Sequence, residues 1–461
     1  VPDKTMNVMS IEGLQELETH FESALADKEV KGIIITSGKR DFAGGMDLNV
    51  LANMKTTHGE DPAQGLFSGI MEIHKLFRKI ELSGMDPKTK KGAKPIAAAI
   101  TGTAAGIGLE LPLACHRIFA VDNDKSKIGL PEILVGIFPG AGGTTRLVRK
   151  LGAMNAAPFL LEGKMLSPAK MKSAGIIDEL TNENNLISSA KAWVLEAKDV
   201  DCIKPWDEKN YKMPGGEPYH PSGFMTFAGA SVMVNSKTQG AFPAAKALLS
   251  AVYEGAQVPF ETALKIEARW FTKILMDPSS EAMIRSLFIN KEALEKGAVR
   301  PKEISDQKVE KIGILGAGMM GAGISYVSAL AGIKVVLLDM NDTDAQKGKA
   351  HAEHLLDIGI KRKKIDENKK SIVLDLIHTT TNFEDLGDCD LIIEAVFEDP
   401  AVKAEVTKKT EAVIDKNCIF ASNTSTLPIS SLATASNRPE NFIGIHFFSP
   451  VDKMLLVEII K

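Results

Sequence analysis

His446 and Glu458 can hold or move a proton, and both fall in one stretch at the end of the chain, GIHFFSPVDKMLLVEIIK. Glu458 follows His446 by twelve residues. A histidine titrates near neutral pH and can take the proton of an alcohol. A carboxylate on its other ring nitrogen would fix the tautomer and stabilise the imidazolium that forms. Taken alone, a histidine in an apolar run is more often a satisfied core residue, so the pair draws its meaning from what lies upstream. There GAGMMG places Gly316, Gly318 and Gly321 at GxGxxG spacing around Met319 and Met320. A strand-like run, KIGIL, precedes it, and Asp339 closes the next apolar run eighteen residues beyond the last glycine. The glycines suit a tight turn, close approach to a pyrophosphate and close helix–strand packing, while the helix start offers free N–H groups to phosphate. An acid at 339 accepts from ribose hydroxyls and repels a 2′-phosphate, so the expected cofactor is NAD.

A second acid pair stands earlier, Glu110 in GTAAGIGLELPLAC and Glu132 in KIGLPEILVGIFPGAGGTTRL. Two carboxylates can divide acid and base roles when their environments differ. The plainer reading is a glycine-rich packing region with two exposed acids, and periodicity leaves both open. Cys115, Cys202, Cys389 and Cys418 show no CxxC or metal-ligand spacing, which predicts free thiols in a reducing compartment and no metal site.

The elements that must position these groups alternate in type. KGIIIT and KPIAAAITG read as buried strands, and Met54 to Leu82 carries apolar residues at helical spacing, so residues 1–183 form an α/β domain. From 184 to 307 a Pro- and Gly-rich stretch leads into FPAAKALLSAVYEG, FETALKIEARWFTKILM and DPSSEAMIRSLFINKEALEKG, which read as a helical connector. Residues 308–461 run strand, glycine turn, helix, strand, a second α/β unit. A net charge of −4 argues against nucleic acid and anionic membrane as partners. The basic runs PKTKKGAK and KRKK are expected to be solvated, the first with the alternative of holding an anionic cofactor tail. No apolar run reaches the ~18 residues of a membrane span. VPDKTMNVMS has neither a signal-peptide pattern nor an initiator methionine, and the chain is expected to be clipped there.

Residues 308–461, through SNTSTLPIS and the His446–Glu458 stretch, resemble the NAD-binding domain of L-3-hydroxyacyl-CoA dehydrogenases. The resemblance implies His446 as the base, Glu458 as its orienting partner and Ser425 as a hydrogen-bond partner of the substrate hydroxyl. It places Glu398, in EAVFED, on the nicotinamide side of the cofactor with Lys403 nearby. It also implies a following all-helical domain that closes the site, supplies an asparagine and mediates dimerisation. The chain is expected to lack that domain, and its dehydrogenase half to be incomplete.

DFAGGMDL, GTAAGIGLELPLAC and KIGLPEILVGIFPGAGGTTRL resemble the crotonase family, in its enoyl-CoA hydratase and isomerase branch, over most of residues 1–183. This implies a crotonase-like spiral fold and a coenzyme A thioester substrate. Glu110 would activate the water that adds to C3, and Glu132 would deliver a proton to C2. The N–H groups of Gly44 and Ile107 would form an oxyanion hole, such donors being worth about 3 kcal/mol each. Ile107 stands where relatives commonly carry glycine and is expected to narrow the acyl pocket. The family's opening strand is expected to precede this chain.

Spiral domain, helical connector and Rossmann-type domain together resemble the multifunctional α-subunits of fatty-acid β-oxidation complexes. That family implies a thiolase β-subunit partner, homo-oligomerisation and the bacterial cytoplasm, with mitochondrial or peroxisomal relatives as the second choice. Two other readings are a hydratase or isomerase with a remnant NAD domain, and a non-catalytic acyl-CoA and NAD scaffold. A scaffold would need none of Glu110, Glu132, His446 and Glu458.

Overall fold

The apolar runs KGIIIT and KPIAAAITG become adjacent parallel strands in the computed structural model, which describes residues 6–47, 61–305, 307–362 and 364–461. The first seven strands are β1 (Ile33–Thr36), β2 (Ile96–Ile100), β3 (Ala104–Ala105), β4 (Arg117–Val121), β5 (Ile128–Gly129), β6 (Met165–Leu166) and β7 (Glu179–Thr181). One parallel sheet runs β1-β2-β4-β7 and a smaller one runs β3-β5-β6. The chain therefore passes repeatedly from one sheet to the other, which winds it into a spiral. All five residues of β2 are buried, as an apolar run covered on both faces requires.

Helix Pro62–Leu82 starts where Asp61 caps it, its side chain accepting from the Gln64 N–H at 3.0 Å. It buries Leu66, Ile70, His74, Phe77, Ile80 and Glu81, one face of a 3.6-residue repeat. Positions 54–60 of the helix expected from Met54 lie outside the described residues. Lys94, in the basic run, donates to the backbone oxygens of Ala24 and Asp27 and so closes helix Ile11–Ala26.

The chain divides into two compact units, Val1–Arg300 and Pro301–Lys461. The helices expected between 184 and 307 are present, among them Pro243–Gly255, Phe260–Leu275 and Pro278–Ile284. Up to Arg300 they belong to the first unit rather than standing apart as a connector. Arg146, fully buried, forms a two-pronged bond to Glu81 at 3.0 and 3.2 Å and lies over the Phe260 ring. Arg78 joins Glu81 to Asp207 and Glu261. Lys204 donates to the carbonyls of Leu113 and Cys115 at the end of helix Ile107–Ala114, where a cation also favours the helix dipole. Burial lowers its pKa to about 8.

The second unit is one sheet of β8 (Lys311–Leu315), β9 (Lys334–Leu338), β10 (Ile377–Thr380), β11 (Leu391–Glu394), β12 (Ile419–Ser422), β13 (Phe442–Phe447) and β14 (Val457–Ile460). Its order is β10-β9-β8-β11-β12-β13-β14, parallel except for the antiparallel β13–β14 pair. The order reverses between β8 and β11. In such open, doubly wound sheets a ligand crevice forms at the carboxyl ends of the strands at that reversal. This is the Rossmann-type architecture expected from the glycine motif.

Replacing Arg146 with Met should destabilise the first unit by about 3 kcal/mol, the low end for a broken buried pair, because Arg78 still satisfies one Glu81 oxygen. Urea unfolding followed by tryptophan fluorescence reads this unit alone, since Trp193, Trp206 and Trp270 all lie in it.

Candidate active sites

In the first unit helices Pro62–Leu82, Ile107–Ala114 and Phe260–Leu275 and the stretch after β5 enclose a cavity of about 400 Å³. Gly44, Met46, Gly106, Ile107, Glu110 and Glu132 line it beside Ile70, Phe138 and Phe271. The two acids singled out in the sequence therefore face one apolar chamber. Glu110 is 2% exposed, and its Oε1 accepts from the Ala141 N–H at 2.9 Å and the Gly143 N–H at 2.8 Å. Glu132 opens a short 3₁₀ turn and is half-buried as a residue, but its Oε2 is shielded from solvent and has no hydrogen-bond partner.

Burial raises the Glu110 pKa, and the Glu132 and Glu267 carboxylates raise it further, against the pull of the two N–H groups. Burial raises Glu132 to about 8, with Glu267 adding to the rise and a backbone hydrogen bond opposing it. Two neighbouring carboxylates in one apolar pocket do not both ionise easily. The N–H pair favours the anion on Glu110, while Glu132, whose Oε2 has no partner, is the member suited to keep a proton.

Ile107 is the first residue of its helix, so its N–H has no intrahelical acceptor and can serve a ligand oxygen. Gly44, the other expected donor, is occupied. Its N–H donates to Asn7 O at 2.8 Å, which corrects the assignment. Met46 lies two residues on and lines the same cavity. Met9 takes the groups flanking it, donating to Gly45 O and accepting from Asp47 N–H, so the Met46 N–H points away from Met9. Among the described residues it has no acceptor, and it is the donor that fits. Ile107 itself lines the cavity, as the expected narrowing requires.

In the second unit Gly316, Asp339 and Ser425 follow the carboxyl ends of β8, β9 and β12, and Glu398 and Lys403 lie beyond β11. The three glycines separate by surroundings. Gly316 has φ +96°, and an added Cβ would lie 2.8 Å from Ala395 O; at Gly321 a Cβ would lie 1.8 Å from Gly316 O. At Gly318 a Cβ would meet nothing within 4 Å. Turn, packing and open cradle thus fall to Gly316, Gly321 and Gly318, and the cradle opens at the N-terminus of helix Met319–Leu330, which fits a pyrophosphate. Met319 is exposed there, and Met320 packs against the core. Asp339 follows β9; its two oxygens accept from Ala317 N–H and Met340 N–H, each at 2.6 Å. Each oxygen retains lone-pair capacity for a ribose hydroxyl.

His446 and Glu458 are directly opposed across β13 and β14, and His446 Nδ1 lies 2.8 Å from Glu458 Oε2. With Nδ1–H donating to that carboxylate, Nε2 is the ring's acceptor. Ser422 on β12 is in register with Gly444 on β13, so Ser425 and His446 emerge at adjacent strand ends. The Ser425 N–H donates to Glu398 Oε1 at 3.2 Å, and Thr424 Oγ1 donates to the same oxygen. Lys403 Nζ bridges Glu398 Oε2 at 3.1 Å and Glu394 Oε1 at 2.7 Å. Burial pushes Glu398 up, but the bonds from Thr424 and Lys403 outweigh it and hold the carboxyl below its ordinary value.

Besides Glu81, two buried acids among the described residues were not singled out by motif. Glu394 ends β11, taking Lys403, the Ser422 hydroxyl and the Val396 N–H. Glu267 reaches the first site from helix Phe260–Leu275. The signal for each was present: Glu267 shares the apolar stripe of Phe260, Ala263, Leu264 and Phe271, and Glu394 closes the apolar run LII. Among the described residues no cluster of His, Cys, Asp or Glu could hold a metal, and no helix is long and apolar enough to cross a membrane.

Residues 2–200 match the enoyl-CoA hydratase/isomerase family, and residues 311–461 match the NAD-binding domain of 3-hydroxyacyl-CoA dehydrogenase. Across its whole length the chain is 35% identical to the fatty acid oxidation complex subunit alpha of Shewanella halifaxensis and 34% identical to that of Shewanella baltica. It spans 62% and 63% of those relatives, respectively. A solved (S)-3-hydroxybutyryl-CoA dehydrogenase from Ralstonia eutropha is 40% identical over 33% of this chain and 54% of its own, with a TM-score of 0.33.

The carboxylate at Asp339 should make NAD⁺ bind at least about tenfold tighter than NADP⁺, a difference of ~1.4 kcal/mol. Asp339→Asn should narrow that ratio, mainly by weakening NAD⁺, as read by calorimetric titration of both nucleotides.

Proposed function

We propose that this chain, which joins an enoyl-CoA hydratase/isomerase domain to a 3-hydroxyacyl-CoA dehydrogenase NAD-binding domain, hydrates trans-2-enoyl-CoA thioesters and serves oxidation of the resulting L-3-hydroxyacyl-CoA in fatty-acid β-oxidation. The observation that carries the reading is the unequal treatment of two acids in one apolar cavity: Glu110 accepts two N–H groups, whereas Glu132 Oε2 accepts none. Water bound at Glu110 loses a proton to it as the oxygen bonds to C3. Electrons of the C2–C3 double bond move toward the thioester carbonyl, and its oxygen gains charge facing the Ile107 and Met46 N–H groups. Glu132 gives its proton to C2. Isomerisation of Δ3-enoyl thioesters belongs to the same reading, because it passes through a thioester dienolate whose oxygen the same N–H groups would meet, a proton leaving C2 and another arriving at C4.

In the second unit His446 Nε2 takes the hydroxyl proton, Glu458 stabilises the imidazolium, and Ser425 holds the hydroxyl. NAD, when bound, accepts the hydride. Glu398 and Lys403 border that cofactor site, and their mutual ion pair supports a shared positioning role. We further propose a thiolase β-subunit as partner, since a 3-ketoacyl-CoA product is a substrate for thiolytic cleavage and the relatives are named as subunits of a complex. Their bacterial sources and the four free, buried cysteines support a bacterial cytoplasmic setting.

Hydration should decline as pH rises through about 8, because Glu132 must carry a proton to deliver it and deprotonates there. Loss of enoyl absorbance across pH 6–10 checks this. Glu132→Gln should slow turnover by about 10²–10⁴-fold. A Gln variant with the wild-type rate and profile would remove Glu132 from the reaction.

A further inference from the structure

The turn from Gly140 to Thr145 gives its N–H groups alternately to two acids. Ala141 and Gly143 donate to Glu110, whereas Gly142 donates to Glu267 Oε1 at 2.6 Å and Thr145 to Glu267 Oε2 at 2.8 Å. The Thr145 hydroxyl adds a third bond to Glu267, at 2.6 Å. His74 secures the start of the turn, its Nε2 lying 2.7 Å from Gly140 O. Gly142 has φ +93°, and an added Cβ would lie 2.0 Å from Arg146 Nη1, so the turn has little room to take another shape.

Glu267 is 1% exposed and comes from helix Phe260–Leu275, beyond the sequence that carries the two site acids. We infer that Glu267 is a positioning residue for the first site, shaping the turn that holds Glu110 and acting as a fixed neighbouring charge on the acid pair. This rests on the hydratase reading.

The groups around Glu267 support such a role. His74 Nε2 lies 3.7 Å away on helix Pro62–Leu82, and burial lowers that imidazole to about 4, so it is neutral and acts as a donor. Burial raises Glu267 to about 7, opposed by the Thr145 and Gly142 bonds and by the Arg146 cation. The carboxylate contributes to the upward shift of both Glu110 and Glu132. Glu267 is therefore anionic over the alkaline range in which Glu132 gives up its proton.

The sign of its effect follows. An anion at 267 makes it harder for Glu132 to lose its proton, so a neutral side chain there lets the proton leave at lower pH. A residue that merely filled space would lower turnover without moving that limb.

The experiment is a pH–rate profile of trans-2-enoyl-CoA hydration by the full chain, comparing wild type with Glu267→Gln and Thr145→Ala. Glu267→Gln should lower kcat by about tenfold or more, leave KM nearly unchanged, and shift the alkaline limb down by roughly half a pH unit. Thr145→Ala should shift the limb the same way by less, since a carboxylate with one bond fewer stays protonated to higher pH. Should Glu267→Gln not fold, the Thr145→Ala profile decides alone. An unmoved limb in the folded variants overturns the inference while leaving the hydratase reading intact. A wild-type chain that hydrates no enoyl-CoA overturns the reading beneath it.

Discussion

A carboxylate withdrawn from water loses hydration worth several kcal/mol, and it stays charged only if donors replace that water. Both units of this chain are organised by that constraint. In the first, Glu81, Glu110 and Glu267 are all nearly inaccessible, and each is met by designated donors: two arginines for Glu81, and alternating backbone N–H groups of one turn for the others. In the second, Glu394 is met by Lys403, a serine hydroxyl and a backbone N–H. Each acid is thereby fixed in position as well as in charge, since moving it strands its donors. Glu132 is the exception, with one shielded oxygen that nothing meets. That exception is where a carboxyl group keeps its proton near neutral pH.

The same constraint explains why the helices after residue 184 belong with the first unit. A spiral of short strands leaves helix Ile107–Ala114 and the turn at 140–145 with ends that need partners. Lys204 closes one, and Glu267 takes the other. Phe260 lies under two arginine side chains and stacks on Trp206 at 5.1 Å, so apolar and ionic terms hold the same contact.

Much of this was legible in the sequence because the relevant spacings are local. GAGMMG, the strand before it and Asp339 after it specify a turn in which Gly316 and Gly321 have no room for a side chain, while Gly318 opens to the cradle. His446 and Glu458 look unrelated at twelve residues' distance, yet a hairpin pairing of their strands makes them direct neighbours. Glu110 and Glu132 could be named from motif spacing, but their inequality could not. It depends on which backbone N–H groups reach them, and those come from residues 141 and 143. Gly44 shows the opposite failure. A glycine suggests an accessible backbone, but its N–H is spent on Asn7, and only the β-bridge at Met9 reveals that Met46 has the free donor. Glu267 was hidden by the label of connector, although an acid on an apolar helical stripe is itself a signal.

The central claim is that Glu110 takes the proton from the water added to C3. Its most direct test is Glu110→Gln, an exchange of nearly the same shape, assayed by loss of the enoyl chromophore with binding of the thioester measured separately. The account predicts retained binding and hydration lowered by about 10²–10⁴-fold. Hydration at the wild-type rate would contradict it and would require another residue as the base.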